Sequence, residues 1–145
     1  MKGPIWRIAV PDTTPPRSPA VTVLLVVVGL EALALAVATV VLLVELVTAP
    51  AASIASAIAL TVLSAVATTW LCAMVVGLRN RRPWVRAGIV VWQVLQGALA
   101  IGAFQGVFRV AWVGWLLLIP ALLGLTLVLS RAVSAWLLPR DGQGD

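Results

Sequence analysis

The sequence predicts an all-α membrane protein, an antiparallel bundle of four transmembrane helices with both termini in the cytoplasm. Composition supports this fold class, since 62% of the 145 residues are hydrophobic and only 10% are charged, and the mean hydropathy is +1.11. Average soluble domains carry roughly 25% charged residues, and so short a chain has no interior large enough to shield this much apolar surface from water. In addition, charges interrupt the apolar sequence regularly and divide it into four segments.

Each of the four apolar segments is long enough to cross a bilayer. A spanning helix needs about 20 apolar residues at a rise of about 1.5 Å per residue. Only the first segment contains charged residues, Glu31 and Glu45. We predict helices at about residues 21–47, 54–78, 87–107 and 110–130.

The two ends of the chain are predicted to lie outside this bundle, which spans residues 21–138. Residues 1–20 contain five prolines, which oppose helix formation, and are predicted to form a cytoplasmic arm. Residues 139–145 are polar and are predicted to form a disordered cytoplasmic tail.

Nine of the ten Lys and Arg residues lie on one side of the predicted bundle. Four of these, Arg79, Arg81, Arg82 and Arg86, lie between the second and third helices, whereas Arg109 alone lies on the other side. By the positive-inside rule, the four-arginine loop and both termini are cytoplasmic. The same arginines have a second interpretation as a contact for anionic lipid headgroups or an acidic protein partner. Nucleic acid is not predicted as a partner, because the charges lie close to the membrane surface.

The chain lacks the residues that most membrane enzymes need. It has no His, no Tyr and one Cys, Cys72, which excludes His-ligated haem, His-based zinc sites and His-assisted nucleophiles. Every Asp lies in a terminal segment, so acid-rich metal-dependent chemistry also lacks its ligands. We predict a protein without enzymatic activity, cofactor or metal site, in which Cys72 is an inert buried thiol.

Glu31 is the residue that constrains function most, because the helical rise places it roughly 15 Å into the bilayer. A lone carboxylate at that depth is costly and must face protein or water. Counting inward from the helix ends places Thr68, Thr69 and Gln96 at a similar depth, with Gln93 one turn nearer the cytoplasm. These five residues are predicted to form one polar layer. It is either a proton or cation relay or ligand site, or a hydrogen-bonded clasp with Glu31 protonated.

The remaining assignments concern packing. Glu45 and Arg109 are predicted to pair at the outer interface, and Trp70 and Trp92 to fill the core. The face of the first helix that carries Glu31, Ala34 and Ala38 is predicted to pack inward. Small residues at a spacing of four predict that the second helix is central, in contact with more than one neighbour. They are Ser53, Ala57, Thr61, Ala65, Thr69, Ala73 and Gly77.

The stretch from Arg81 to Arg86, followed by Trp92, Gln93 and Gln96 on an apolar helix, resembles small four-helix integral membrane proteins of high-GC actinobacteria. The resemblance implies the architecture and a bacterial plasma membrane, and it implies no activity. These observations predict an accessory, scaffolding or assembly subunit of a larger membrane complex, either respiratory or envelope-building. The predicted protein partners are the other subunits of that complex or further copies of the same chain. The alternative is a small proton- or cation-coupled transporter that uses Glu31.

Overall fold

The computed structural model describes residues 17–48, 53–106 and 110–137, and these residues form helices joined by short connections, without strands. Four of the helices are long and apolar enough to cross a membrane. They are α1 (Pro19–Thr48), α2 (Ile54–Arg79), α3 (Trp84–Gln105) and α4 (Ala111–Val128), and they are followed by the short α5 (Arg131–Leu137). The four predicted spans are therefore confirmed as helices, and each of their ends lies within three residues of the predicted position.

The start of α1 differs from the prediction, because Pro19 belongs to the helix and not to the arm. Ser18 caps the helix: its carbonyl accepts from the N–H of Val21 at 3.0 Å and from that of Thr22 at 3.2 Å. Proline is well suited to the first helical position, where the N–H it lacks would have no partner. The rest of the predicted arm up to residue 16, and the predicted tail, lie outside the described residues.

The helix α5 is a finding that the apolar pattern did not predict. The helix α4 ends at Val128, and Ser130, the last residue of the predicted fourth helix, caps a new one, with its carbonyl accepting from the N–H of Ser134 at 3.0 Å. A serine at this position offers the backbone an alternative to a continuous helix. The helix α5 buries Val133 and Leu137 and packs against α1 and α4.

The four long helices pack as two antiparallel hairpins that lie side by side. The most extensive contacts are α1 with α2 and α3 with α4, and smaller contacts join α1 to α4 and α2 to α3. The antiparallel register of the second hairpin is visible where Phe104 lies against Gly114 and Gln93 lies against Gly124. The helices in contact with the most elements are α1, which packs on α2, α4 and α5, and α4, which packs on α1, α3 and α5.

The main apolar core lies at the end of the bundle that holds the α2–α3 connection and α5, which we call the Arg-rich end. Its members recur every three or four residues along the helices, as expected for helix faces that interlock. They are Val21, Leu24, Val28, Ala32, Leu71, Met74, Leu78, Val85, Ile89, Val128, Val133 and Leu137. Tight packing is therefore concentrated at one end, and an open cleft extends from the middle of the bundle toward the opposite end.

The small-residue stripe of α2 only partly matches the packing. Thr61 and Gly77 are buried, whereas Thr69 and Ala73 are exposed. A spacing of four residues advances about 40° further than one turn at each step, so the stripe winds off the contact face. The prediction that α2 contacts more than one neighbour is confirmed, since it packs on both α1 and α3, but α1 and α4 each contact one element more. At Gly77 the missing side chain makes room for the start of α3, since a Cβ there would collide with Val85.

Candidate functional site

Glu31 lies in the middle of α1 and is held by two side chains of α3. Its Oε2 accepts hydrogen bonds from Trp92 Nε1 at 3.1 Å and from Gln93 Nε2 at 3.3 Å. Gln96 lies one turn further along α3, three residues from Gln93 and four from Trp92, so the three side chains share one side of the helix. We call Glu31, Trp92, Gln93 and Gln96 the Glu31 cluster.

Gln93 is fixed in place by a close approach of α4. Its side chain is only 2% exposed, and it lies directly against the backbone of Gly124, where a Cβ would come within 2.6 Å of the amide carbon. Glycine at this position therefore creates the space that a buried glutamine side chain needs between two helices. The result is a polar group held at a defined position next to the carboxylate.

Three oxygens of the Glu31 cluster have no hydrogen-bond partner among the described residues. They are Glu31 Oε1, Gln93 Oε1 and Gln96 Oε1, and all three atoms are buried. An unpaired buried acceptor costs about 1–3 kcal/mol, and native structures pair nearly all such groups. The described residues therefore leave three buried acceptors together at the carboxylate without donors.

Three members of the Glu31 cluster line a cleft of about 440 Å³ between α1 and the α3–α4 hairpin, whereas Gln93 does not. Its polar lining consists of Glu31, Trp92 and Gln96, and the rest is aliphatic: Val27, Leu30, Ala34, Leu35, Ala38, Leu99, Leu116, Leu117 and Pro120. Since Pro120 has no N–H, the carbonyl of Leu116 also loses its usual helical donor.

The cleft faces outward from the bundle, toward the surroundings of the helices. Leu30, Leu99 and Leu116 are 60%, 55% and 63% exposed, so the rim of the cleft is accessible from the side. Ala34 and Ala38, predicted to pack inward with Glu31, line this cleft and are exposed. The predicted inward packing of these two alanines is wrong. Neighbouring positions of α1 form its buried face, and the alanines lie at the edge of that face.

A second polar cluster joins α1 to α2. The hydroxyl of Thr39 lies 2.7 Å from that of Ser64 and 3.1 Å from that of Thr68. Thr39 and Thr68 each donate to a carbonyl one turn back in their own helix at 2.8 Å. Because each hydroxyl carries a single proton, Ser64 is the donor to Thr39. This hydroxyl cluster ties the two helices together and has no charged member.

The predicted single polar layer is therefore two clusters at different levels. Thr68 belongs to the hydroxyl cluster, eight residues of α1 away from Glu31, a rise of about 12 Å. Thr69 belongs to neither, because it is exposed and donates only to the carbonyl of Ala65 in its own helix, at 2.9 Å. Counting from the helix ends failed because α1 begins about two turns beyond the end of α2 at the Arg-rich end.

Two members of the clusters, Thr39 and Ser64, were missed in the sequence, because only their polarity in apolar segments signals the role. Thr39 is buried and contacts Ser64 and Thr68 of α2. Trp92 packs against the core, as predicted, and its indole N–H also donates to the carboxylate of Glu31, which was not predicted. Trp70, predicted to fill the core, is 50% exposed, and Cys72, predicted to be buried, is also exposed.

The four arginines near the α2–α3 connection have different environments. Arg81 has a left-handed backbone, with φ of 55°, and its guanidinium carbon lies 3.8 Å from the centre of the Trp136 ring in α5. Arg79, Arg82 and Arg86 are exposed. Their predicted contact with anionic lipid or an acidic partner stays a prediction. Glu45 is exposed, and its predicted partner Arg109 lies outside the described residues.

Comparison of the chain with protein-family models, with curated proteins and with solved structures finds no match. The function is therefore argued from the Glu31 cluster and its cleft.

Proposed function

We propose that this chain is a small proton-coupled cation transporter of the bacterial plasma membrane, with Glu31 as the site that a proton and a cationic ligand occupy in turn. The termini and the Arg-rich end face the cytoplasm in this proposal, as the distribution of Lys and Arg favours. One observation carries it: a carboxylate in the middle of a spanning helix has a buried, unpartnered oxygen and borders a cleft.

Exchange of a proton for a cationic ligand follows from the charge and the hydrogen-bond donors that the oxygens of the Glu31 cluster need. Without a ligand, a proton on Glu31 converts one acceptor into an O–H donor and removes the cost of a bare charge in an apolar environment. With a cationic ligand in the cleft, the ionised carboxylate is neutralised by the ligand and the proton must leave. The proton and the cationic ligand each neutralise the same carboxylate, so occupancy by one excludes the other, and this exclusion couples the two movements.

The accessory-subunit prediction remains the second candidate, and it too is favoured by a specific contact. Trp92 and Gln93 already donate to Glu31 Oε2, as a hydrogen-bonded clasp between α1 and α3 requires. A clasp needs only the shape and hydrogen bonds of the side chain at position 31. A transporter needs a side chain that gains and loses a proton.

The replacement Glu31→Gln separates these two functions, because glutamine keeps the size and an acceptor oxygen but cannot titrate. We would reconstitute the full chain in liposomes with a proton gradient and measure uptake of radiolabelled Na⁺, K⁺ and octylamine. Gradient-driven uptake of at least one probe by the native chain, lost in Glu31→Gln, is the expected result. Equal uptake by the native chain, Glu31→Gln and empty liposomes would contradict transport.

Two controls accompany this measurement. Thr69→Val alters an exposed side chain on α2 that lies outside both polar clusters, so it should transport like the native chain. The thermal unfolding midpoint of Glu31→Gln in mild detergent shows whether the variant is folded. If transport is absent, recovery of a defined complex from native membranes by the tagged protein would favour the accessory-subunit function.

A further inference from the structure

We propose that the ligand of the cleft is the protonated form of an apolar primary amine, with its ammonium group at the Glu31 cluster and its hydrocarbon part along the aliphatic wall. This inference rests on the proposed function and names the class of cation. Three properties of the cleft carry it: its charge, its unpaired acceptors and its apolar lining.

The charge of the cleft selects a cation. Glu31 is the sole ionisable side chain among the residues that line it. The described arginines (Arg17, Arg79, Arg81, Arg82, Arg86 and Arg131) lie at or beyond the helix ends, on the side of the Arg-rich end. An anionic or zwitterionic ligand would thus place a negative charge beside the carboxylate with no cation to balance it, at a large cost in an apolar environment.

The unpaired acceptors select a cation that carries N–H groups. Glu31 Oε1 and Gln96 Oε1 belong to side chains that line the cleft, and neither has a donor among the described residues. Gln96 is only 5% exposed. A primary ammonium offers three N–H donors, whereas a quaternary ammonium offers none. Hydrogen bonds that involve a charged group are about twice as strong as neutral ones. A quaternary ammonium of the same charge would leave the acceptors unpaired and is predicted to bind more weakly.

The aliphatic lining of the cleft favours a ligand with an apolar hydrocarbon part. Nine of the twelve lining residues are aliphatic, counting Pro120, and the rim residues Leu30, Leu99 and Leu116 are more than half exposed. In a bilayer, such a rim faces the lipid chains, so an amphiphilic amine reaches the cleft from within the membrane. The volume of about 440 Å³ falls in the range of small-molecule sites, roughly 300–1,000 Å³.

The test compares two probes with the same chain length and charge, octylammonium and octyltrimethylammonium, on the full chain in lipid nanodiscs. Binding is measured by titration calorimetry, with empty nanodiscs subtracted to remove partition into lipid. We expect octylammonium to bind saturably and about tenfold or more tightly than octyltrimethylammonium, because one or two charge-assisted hydrogen bonds are worth that factor. Binding of octylammonium should also release a proton, measured in weakly buffered solution.

A matched pair of variants on α3 locates the site. Gln96→Leu removes one acceptor of the cluster and should reduce the preference for octylammonium by about tenfold. Gln105→Leu makes the same change at an exposed position that does not line the cleft, and should leave binding unchanged. Tight binding unaffected by Gln96→Leu would overturn the inference.

The outcomes distinguish this inference from the proposed function. Equal affinity for the two probes would overturn the requirement for N–H donors and leave proton-coupled transport intact. Proton-driven uptake of Na⁺ or K⁺ without octylammonium binding would overturn the amine as ligand but not the transport function. No proton-driven uptake of any probe, together with no octylammonium binding, would contradict both.

Discussion

Gly124 determines at the residue scale whether Gln93 can reach Glu31. A Cβ at position 124 would come within 2.6 Å of the amide carbon of Gln93, so either the buried Gln93 side chain would have to leave its position beside Glu31 or α4 would have to shift. Gly124→Ala should therefore destabilise the bundle by about 1–3 kcal/mol, the range for overpacking in a core. The measurement is the unfolding midpoint of the variant in mild detergent.

The control for this prediction is Gly97→Ala in α3, because a Cβ at position 97 would meet no atom within 4 Å. Alanine favours a helix over glycine by up to about 1 kcal/mol, so Gly97→Ala should unfold at or above the native midpoint. If both alanine variants behaved alike, the fit of Gln93 against α4 would not be a determinant of stability.

At the scale of elements, the hydroxyl cluster is the polar contact that fixes α1 against α2. Thr39→Val keeps the shape of the side chain but removes the acceptor of Ser64, so we expect a loss of about 1 kcal/mol, as for hydrogen bonds between membrane helices. The unfolding midpoint measures this loss. Thr69→Val is its matched control, since Thr69 bonds only to its own helix and its replacement should cost less. A larger loss for Thr69→Val would contradict the observed register of α1 and α2.

The second feature at this scale is the C-terminal cap of α2. The N–H of Arg82 bonds to the carbonyl of Gly77 at 2.9 Å and that of Arg81 to Leu78 at 3.3 Å, the pattern that places a left-handed residue just beyond a helix. Glycine normally occupies this place because other residues pay roughly 1 kcal/mol or more for a left-handed backbone. Arginine at position 81 offsets that cost by stacking on Trp136.

This balance predicts an unusual order of stabilities at position 81. Arg81→Ala loses the contact with Trp136 and keeps the strained backbone, so it should destabilise the protein by about 1 kcal/mol. Arg81→Gly loses the same contact but relieves the strain, so it should unfold close to the native midpoint. Equal destabilisation by alanine and glycine, measured in the same detergent, would show that the backbone at position 81 carries no cost.

The sequence predicted the elements better than their register. Length and hydropathy were sufficient for the four spans, because each apolar segment has only one way to satisfy its backbone in a bilayer. The level of one helix against the next depends on how far each helix extends, and no local pattern shows that α1 begins about two turns beyond the end of α2. For this reason Thr68 and Thr69 were placed with Glu31 in error. Glu31, Gln93 and Gln96 were also predicted as neighbours.

At the scale of the whole molecule, a tightly packed end contrasts with an open cleft. The apolar core at the Arg-rich end includes α5 and holds the two hairpins together, whereas the cleft lies toward the opposite half, where α1 and the α3–α4 hairpin leave space. The identity of Glu31 as the central residue could be predicted, because a lone acid in an apolar segment is unusual. The cleft could not, since its existence depends on how far two hairpins separate, which no local pattern records.

Orientation is the property of the whole molecule that charge alone predicts. All six arginines among the described residues lie on the side of the α2–α3 connection, so this side should stay in the cytoplasm. In a Cys72→Ser background, which removes the sole cysteine, single cysteines at Asn80→Cys and Ala111→Cys report on the two ends of the bundle, because both positions are exposed. A membrane-impermeant maleimide applied to intact cells should label Ala111→Cys, and Asn80→Cys only after permeabilisation. The reverse pattern would place the Arg-rich end outside and would mean that the charge asymmetry does not set the orientation.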